Sequence, residues 1–90
     1  LTQGSLLALY SGADVTSAVH RGQFVRSSIL CQQLPDPPPD ADVTPLEDDG
    51  KTTARQRLAQ HTDDPKCSVC HGLMDPIGLA FETFDAAGRY

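Results

Sequence analysis

The sequence predicts a small all-α protein whose helices are interrupted once, by a proline-rich stretch. Apolar residues recur at spacings of three and four on both sides of that stretch, which is typical of amphipathic helices. Asp-Pro pairs stand where helices commonly begin, and no segment shows a clear strand pattern. Ninety residues suffice for one domain. A core of that size usually needs further stabilisation from disulfides, a metal or a cofactor.

The N-terminal part, residues 1–34, is predicted to be helical. The apolar run Leu6–Leu9 predicts a helical turn or a strand that packs on the rest of the chain. A longer helix is predicted from Val15 to about Gln33, with Arg21 on the flank of its apolar stripe. We expect Cys31 to be a small, buried apolar residue on this helix. The stripe consists of Val15, Ala18, Gly22, Val25 and Ile29.

Residues 35–50 are predicted to be a Pro/Asp-rich linker. They hold five of the seven prolines and six of the twelve acidic residues, and no basic residue. Outside the linker, the seven basic residues outnumber the six remaining acidic residues by one. The net charge of −5 therefore comes from the linker. An acidic segment of this kind argues against nucleic acid as a partner. Proline favours extended backbone, which predicts a semi-rigid, solvated connector; a ligand for a proline-binding groove is the alternative.

Residues 51–90 are predicted to hold three further helices. The first runs from about Thr52 to His61, with Ala54, Leu58 and His61 on one face. Asp64-Pro65 predicts an N-cap followed by proline at the first helical position. The second such pair, Asp75-Pro76, is expected to open a final helix. The apolar stripe of that helix would be Ile77, Ala80, Phe81 and Phe84.

The helix after Pro65 carries the run Cys67-Ser68-Val69-Cys70-His71. C-x-x-C-H is the attachment signature of c-type haem: the two thiols form thioethers with the porphyrin, and the adjacent imidazole ligates the iron. On a helix, the two cysteines share a face and the histidine lies one turn beyond the first of them. The motif therefore predicts one covalent haem c held by Cys67, Cys70 and His71.

Other uses of the cysteine pair stay open at this point. A thioredoxin-like redox pair needs a preceding strand in a βαβ unit, and the sequence shows none. A zinc site would have to combine Cys67, Cys70 and His71 with His61, in a cramped set. A local disulfide between the two cysteines is the third alternative.

The second axial ligand of the iron is predicted to be His61. It lies six residues before Cys67, and an extended hexapeptide spans up to about 20 Å, enough to pass around the porphyrin edge. His20 and an open position are the alternatives. Met74 lies too close to His71 in the chain to reach the opposite side of the haem. We expect it to pack against the ring edge.

The haem propionates are anionic and need cations or hydrogen-bond donors nearby. Arg89 is a predicted propionate contact, and Arg55 and Arg57 are the alternatives nearest in sequence. Pro76, or the backbone around it, is expected to accept a hydrogen bond from His71 and so orient its ring.

The same motif predicts where the protein acts. Haem c is attached on the extracytoplasmic side of a membrane, so we expect an exported, periplasmic protein whose leader lies upstream of Leu1. No segment has the apolar length of a membrane span. We therefore expect the chain to be one domain of a larger exported protein.

From Arg57 onward the sequence RLAQHTDDPKCSVCHGLMDPIGLAFETFDAAGRY resembles the haem-motif end of a planctomycete-type cytochrome-associated domain of unknown function. That domain is found in large multidomain exported proteins of planctomycetes and other Gram-negative bacteria. The earlier TSAVHRGQFVRSSIL, followed by prolines, resembles its N-terminal half, so the resemblance covers essentially all ninety residues. It implies the haem motif, but no reaction and no role for Cys31. The family pattern also includes His61, Met74, Asp75, Pro76, Gly78, Glu82, Phe84, Asp85, Gly88 and Arg89.

The leading functional hypothesis is a cytochrome c-like domain that transfers single electrons. Its partners would be the other domains of the same protein and a redox partner. An iron with His71 and His61 as ligands has no open position for a substrate. One alternative is a haem domain with an open distal site that takes part in peroxide or substrate oxidation. Another is a structural module whose cysteines and histidines bind zinc or whose cysteines form a disulfide.

Overall fold

The computed structural model describes residues 1–90 and contains helices but no strand, so the predicted all-α class is confirmed. Helix α1 spans Gly4–Leu9, α2 spans Ala18–Phe24, α3 spans Ala54–Thr62 and α4 spans Pro65–Leu79. A π-helical turn, Val25–Ile29, continues α2. None of these helices has the length and hydropathy needed to span a bilayer.

The centre of the fold is the crossing of α2 and α4, where the two backbones touch. A Cβ atom added to Gly22 would lie 2.1 Å from the carbonyl oxygen of Met74. One added to Gly78 would lie 1.7 Å from the carbonyl oxygen of Ala18. Only glycine permits this separation, because real Cβ atoms do not approach other atoms so closely. The crossing therefore holds α4 against α2 along a seam of small residues.

The long N-terminal helix is shorter than predicted. Ser17 caps it, its hydroxyl accepting a hydrogen bond from the His20 N–H, so Val15 lies before its start. The helix ends at Ile29, which is exposed. Cys31 follows with a φ of 53°, in the left-handed region, and is exposed. The expectation of a buried, helical Cys31 is therefore wrong, because the chain turns away from α4 here in the manner of a helix C-terminus.

The predicted N-termini of the two helices around the cysteine motif, α3 and α4, are confirmed. Thr53 and Gln56 form a capping box at the beginning of α3. Asp64 caps α4 by accepting a hydrogen bond from the Lys66 N–H, and Pro65 occupies the first turn. These ends follow the local sequence signals because each cap needs only residues within one turn.

The predicted start of a final helix at Asp75-Pro76 is wrong. Helix α4 continues through Pro76 to Leu79, with the proline ring on the exposed side. An interior proline costs a backbone hydrogen bond. Packing of Met74 and Gly78 against α2 keeps the helix continuous despite that cost. After Leu79 the chain forms successive turns, so Phe81 and Phe84 do not share a helix.

Arg21 joins the two ends of the chain to α2. Its guanidinium, 2% exposed, donates hydrogen bonds to the carbonyl oxygens of Leu7, Phe81 and Phe84 and pairs with Glu82 at 3.5 Å. Burial lowers the pKa of Arg21, and the neighbouring carboxylates oppose this shift. The sequence places Arg21 on the flank of an apolar stripe, but in the structure it is the most deeply buried large side chain.

Candidate functional site

A cleft of about 520 Å³ lies between α2, α3, α4 and the proline-rich segment, by which we mean residues 35–50. That volume is within the range of small-molecule and cofactor sites. Its walls combine apolar side chains with the two cysteines of the motif and all three histidines of the chain. The predicted site residues Cys67, Cys70, His71, Met74 and His61 all line it.

The cysteine motif lies on the first turns of α4, as predicted from its spacing. Cys67 and Cys70 are both partly exposed to the cleft and both are free thiols. The Cys70 thiol donates a hydrogen bond of 3.8 Å to the carbonyl oxygen of Pro35. Two thiols and an imidazole therefore face one cavity from a single helix, which is the arrangement that covalent haem attachment requires.

His71 is oriented by Asp75 rather than by Pro76. Its Nδ1 lies 3.1 Å from each carboxylate oxygen of Asp75. Residues four apart meet on one helix face, and this pair forms because α4 does not stop at the proline. An ionised carboxylate only accepts hydrogen bonds, so in a neutral His71 ring this contact favours the proton on Nδ1 and a lone pair on Nε2. Burial raises the pKa of Asp75, and the adjacent His71 ring acts in the opposite direction.

His61, from the last turn of α3, contacts the His71 ring. The two ring centroids are 4.9 Å apart and the planes are inclined by 78°. The structure thus brings together the two histidines that the sequence proposes as iron ligands. His20 also lines the cleft, from α2, but is exposed as a residue.

The basic residues that line the cleft do not include Arg89, the predicted propionate contact. Arg89 does not line the cleft: its side chain is 80% exposed and it pairs with Asp85 at 2.9 Å. Arg57 and Lys66 do line it. The sequence offers Arg57 as an alternative, whereas nothing in it singles out Lys66. The cationic ends of these two residues are the groups placed to face an anionic part of a ligand.

The proline-rich segment is a wall of the cleft as well as a connector. Lys66 forms an ion pair with Asp40, and Arg57 pairs with Asp48 at 3.2 Å. Residues between Leu34 and Leu46 line the cavity together with the cysteine motif. Most of the segment is exposed, as expected of a solvated stretch. One feature of the sequence is consistent with this position of the proline-rich segment: the segment is acidic, and basic residues lie near the cysteine motif.

The donor set fits a haem better than a structural zinc ion. Nowhere in the chain do three or more His, Cys, Asp or Glu side chains converge at metal-binding distance. Structural zinc takes four such ligands. Haem attachment needs two sulfurs and one or two nitrogens around a large, mostly apolar cavity, and these are present together here.

Fold and site together define a small helical domain with a C-x-x-C-H motif facing a cofactor-sized cleft. The family model described as PSCyt3, a protein of unknown function (DUF1588), matches residues 1–90. The chain belongs to this family, in agreement with the resemblance to a cytochrome-associated domain. No curated protein and no solved structure gives a significant match.

Proposed function

We propose that this chain is an extracytoplasmic c-type cytochrome domain that binds one covalent haem and transfers single electrons within a larger multidomain protein. The observation that carries the proposal is the convergence of Cys67, Cys70, His71 and His61 on one cleft of about 520 Å³. Both motif thiols and two imidazoles enter this cleft from two consecutive helices, α3 and α4. The extracytoplasmic location follows from the attachment chemistry.

Each residue of the site has a defined part in this proposal. Cys67 and Cys70 would provide the sulfurs for the two thioether bonds, and His71 would provide Nε2 to the iron. Met74, 8% exposed, packs below the cleft and keeps its floor apolar. Bound haem supplies one-electron redox chemistry. Arg57 and Lys66 offer cations to the propionates, and the proline-rich segment excludes water from one side.

His61 is the proposed distal ligand. Metal–imidazole bonds are about 2 Å long, so two nitrogens on one metal lie about 4 Å apart, with their rings farther out. The observed 4.9 Å between centroids is shorter than this arrangement needs. Ligation by both histidines therefore requires α3 to move outward from α4. The proline-rich segment that borders α3 and the cleft is held in part by the exposed Lys66–Asp40 ion pair, which can rearrange at little cost.

The experiment that tests the proposal is expression with a signal peptide and the c-type maturation machinery, followed by intact mass and a pyridine haemochrome spectrum. One haem retained after denaturation is expected, and none in the Cys67→Ala/Cys70→Ala control. An apo mass in a host that matures another cytochrome at the same time would refute the proposal. Zinc analysis and thiol counting would then test the structural alternative.

The distal ligand is tested by comparing His61→Ala with His20→Ala, since both histidines line the cleft. We expect the ferric unmodified protein and His20→Ala to be low-spin. His61→Ala should be high-spin and should bind cyanide. A high-spin spectrum in the unmodified protein would instead favour the open-site alternative, in which the domain takes part in peroxide or substrate oxidation. A change confined to His20→Ala would assign the ligand to α2.

A further inference from the structure

Asp75 is a buried carboxylate with a single hydrogen-bonding partner. It is 5% exposed, and both its oxygens lie 3.1 Å from Nδ1 of His71. The His71 ring is the only ion-pair partner of this carboxylate, because no arginine or lysine lies within reach of it. Burying a charge in this way costs free energy that one hydrogen bond to a neutral ring offsets only in part.

The backbone of α4 offers no other explanation for a carboxylate at this position. Asp75 caps no helix, since α4 runs on to Leu79. Its one close ion pair is with His71 of the same helix, and the His61 ring of α3 acts on it only through its charge. Both its oxygens are directed at Nδ1 of His71, which leaves Nε2 as the ring nitrogen that would ligate an iron.

We infer that Asp75 is a positioning residue for His71 that also lowers the reduction potential of the haem. This inference rests on the proposed function. The carboxylate keeps the proton on Nδ1 and leaves Nε2 free to ligate the iron. A hydrogen bond from a ligating histidine to a carboxylate also raises the basicity of the ligand. A more basic imidazole donates more charge, which favours the oxidised iron.

Burial strengthens this effect. A negative charge near the ring acts through a medium that screens less than water, so it stabilises the more positive oxidation state of the site. A neutral acceptor, such as the backbone carbonyl near Pro76 that the sequence suggests, would orient the ring without adding this charge. A carboxylate acceptor would thus both orient the His71 ring and lower the reduction potential, whereas a backbone carbonyl would only orient the ring.

The test is the reduction potential of the haem-loaded chain with Asp75→Asn, which keeps the shape but removes the charge. We expect the haem to be retained and the potential to rise by at least about 59 mV, equal to a tenfold change in a one-electron equilibrium constant. Asp63→Asn, at an exposed position between α3 and α4, removes the same charge and is the matched control. Its potential is expected to change far less. In resonance Raman spectra of ferrous His61→Ala, where the iron has an open position, the iron–histidine vibration should move to lower frequency when Asp75→Asn is added.

An unchanged potential in a folded, haem-loaded Asp75→Asn protein would overturn the inference and leave Asp75 a purely structural role. If that variant does not mature, Asp75→Glu takes its place. Glutamate keeps the charge, but its side chain is longer, so the hydrogen bond to His71 should weaken. The reduction potential of the haem in this variant should therefore lie above that of the unmodified chain. A potential equal to that of the unmodified chain, in an Asp75→Glu protein that no longer bonds His71, would also contradict the inference.

A second measurement needs no haem. Nitrogen-15 shifts of the His71 ring in the apo protein should show the Nδ1–H tautomer, and Asp75→Asn should shift the population toward Nε2–H. A predominant Nε2–H tautomer in the unmodified chain would overturn the inference. Absence of haem from the unmodified, matured protein would refute the proposed function instead, so the two failures are distinguishable.

Discussion

The two sides of the cleft are held by different kinds of contact. On one side, α4 crosses α2 through backbone contact at Gly22 and Gly78, with buried side chains around it. On the other side, the proline-rich segment is held by exposed ion pairs such as that between Lys66 and Asp40. Close packing tolerates little change in volume, whereas exposed pairs contribute little and rearrange easily.

This difference matters for the proposed haem, which would lie between the two sides of the cleft. The cysteines, His71 and Asp75 belong to α4, on the closely packed side, so their mutual geometry is set before any ligand enters. His61 is at the end of α3, where the cleft borders the weakly held side. We therefore expect the proximal half of the site to be preorganised and the distal half to adjust.

The strongest test of the packed side is Gly78→Ala. Its Cβ would lie 1.7 Å from the Ala18 carbonyl oxygen, so the helices must separate. We expect the free energy of unfolding to fall by more than about 3 kcal/mol, beyond the usual cost of core overpacking, because the obstacle is backbone rather than a movable side chain. Urea denaturation followed by circular dichroism measures it.

Gly72→Ala is the matched control on the same helix, because nothing lies within 4 Å of its Cβ position. That change should stabilise the helix by about 0.5–1 kcal/mol. Equal effects at Gly72 and Gly78 would show that the crossing is not tightly packed.

A second test of the packed side is Arg21→Met, which keeps much of the volume but removes the donors. The Phe84 carbonyl oxygen would lose its hydrogen-bond donor, the Phe81 carbonyl oxygen would keep only the Phe84 N–H, and the Glu82 carboxylate would lose its ion pair. We expect a loss of about 3 kcal/mol, because removing one member of a buried polar network leaves the others unsatisfied. Arg55→Met, at an exposed position, should change the stability by less than about 0.5 kcal/mol. A comparable loss in both variants would mean that the C-terminal turns do not depend on Arg21.

On the weakly held side, Lys66→Ala is expected to cost less than about 1 kcal/mol, since both partners of the pair with Asp40 are largely exposed. A double-mutant cycle with Asp40→Ala at low and high salt measures the coupling. The coupling should disappear at high salt because exposed charges are screened. A coupling that persists at high salt would place the segment in firmer contact with α4 than the exposed pair implies.

The smallest expected effect concerns pH and Asp49, which precedes α3. Hydrogen bonds from the backbone N–H groups of Thr52 and Lys51 lower the pKa of Asp49 from 3.8 to about 2. A carboxylate with a lowered pKa stabilises the fold above its unfolded value, and this contribution is lost as the pH falls through about 2. The protection of the Thr52 amide against exchange, corrected for the intrinsic rate at each pH, should therefore fall between about pH 4 and pH 2. Asp49→Asn should abolish that change, whereas Asp36→Asn, in the same segment, should leave it intact.

Helix positions were predictable where the signal is local. The starts of α3 and α4 follow from Thr53 and Asp64, which bond to backbone groups one turn away. The second Asp-Pro pair has the same local signal, yet there the helix continues. Contact of Met74 and Gly78 with α2 outweighs the local preference, and a tertiary contact of this kind has no periodic signature in sequence.

The candidate site was predictable only in part, for a similar reason. The C-x-x-C-H spacing places its three groups on one helix face, and the cleft indeed contains them. The sequence indicates Asp75 only as a cap and as a member of a family pattern, because its proximity to His71 depends on a helix that passes through a proline. The proline-rich segment is predicted to be solvated, and nothing local indicates that it lies beside Cys70.

The sequence by itself determined the all-α class, the caps around the motif and the three groups that point to haem, because each depends on residues within a turn or two of one another. The tertiary structure alone decided three things: the burial of Arg21 beneath carbonyls 60 and 63 residues away, the wall formed by the proline-rich segment, and the contact between His61 and His71. These contacts join distant segments of the chain. They form because α2 and α4 pack closely at Gly22 and Gly78, and the other segments of the chain are arranged around this crossing.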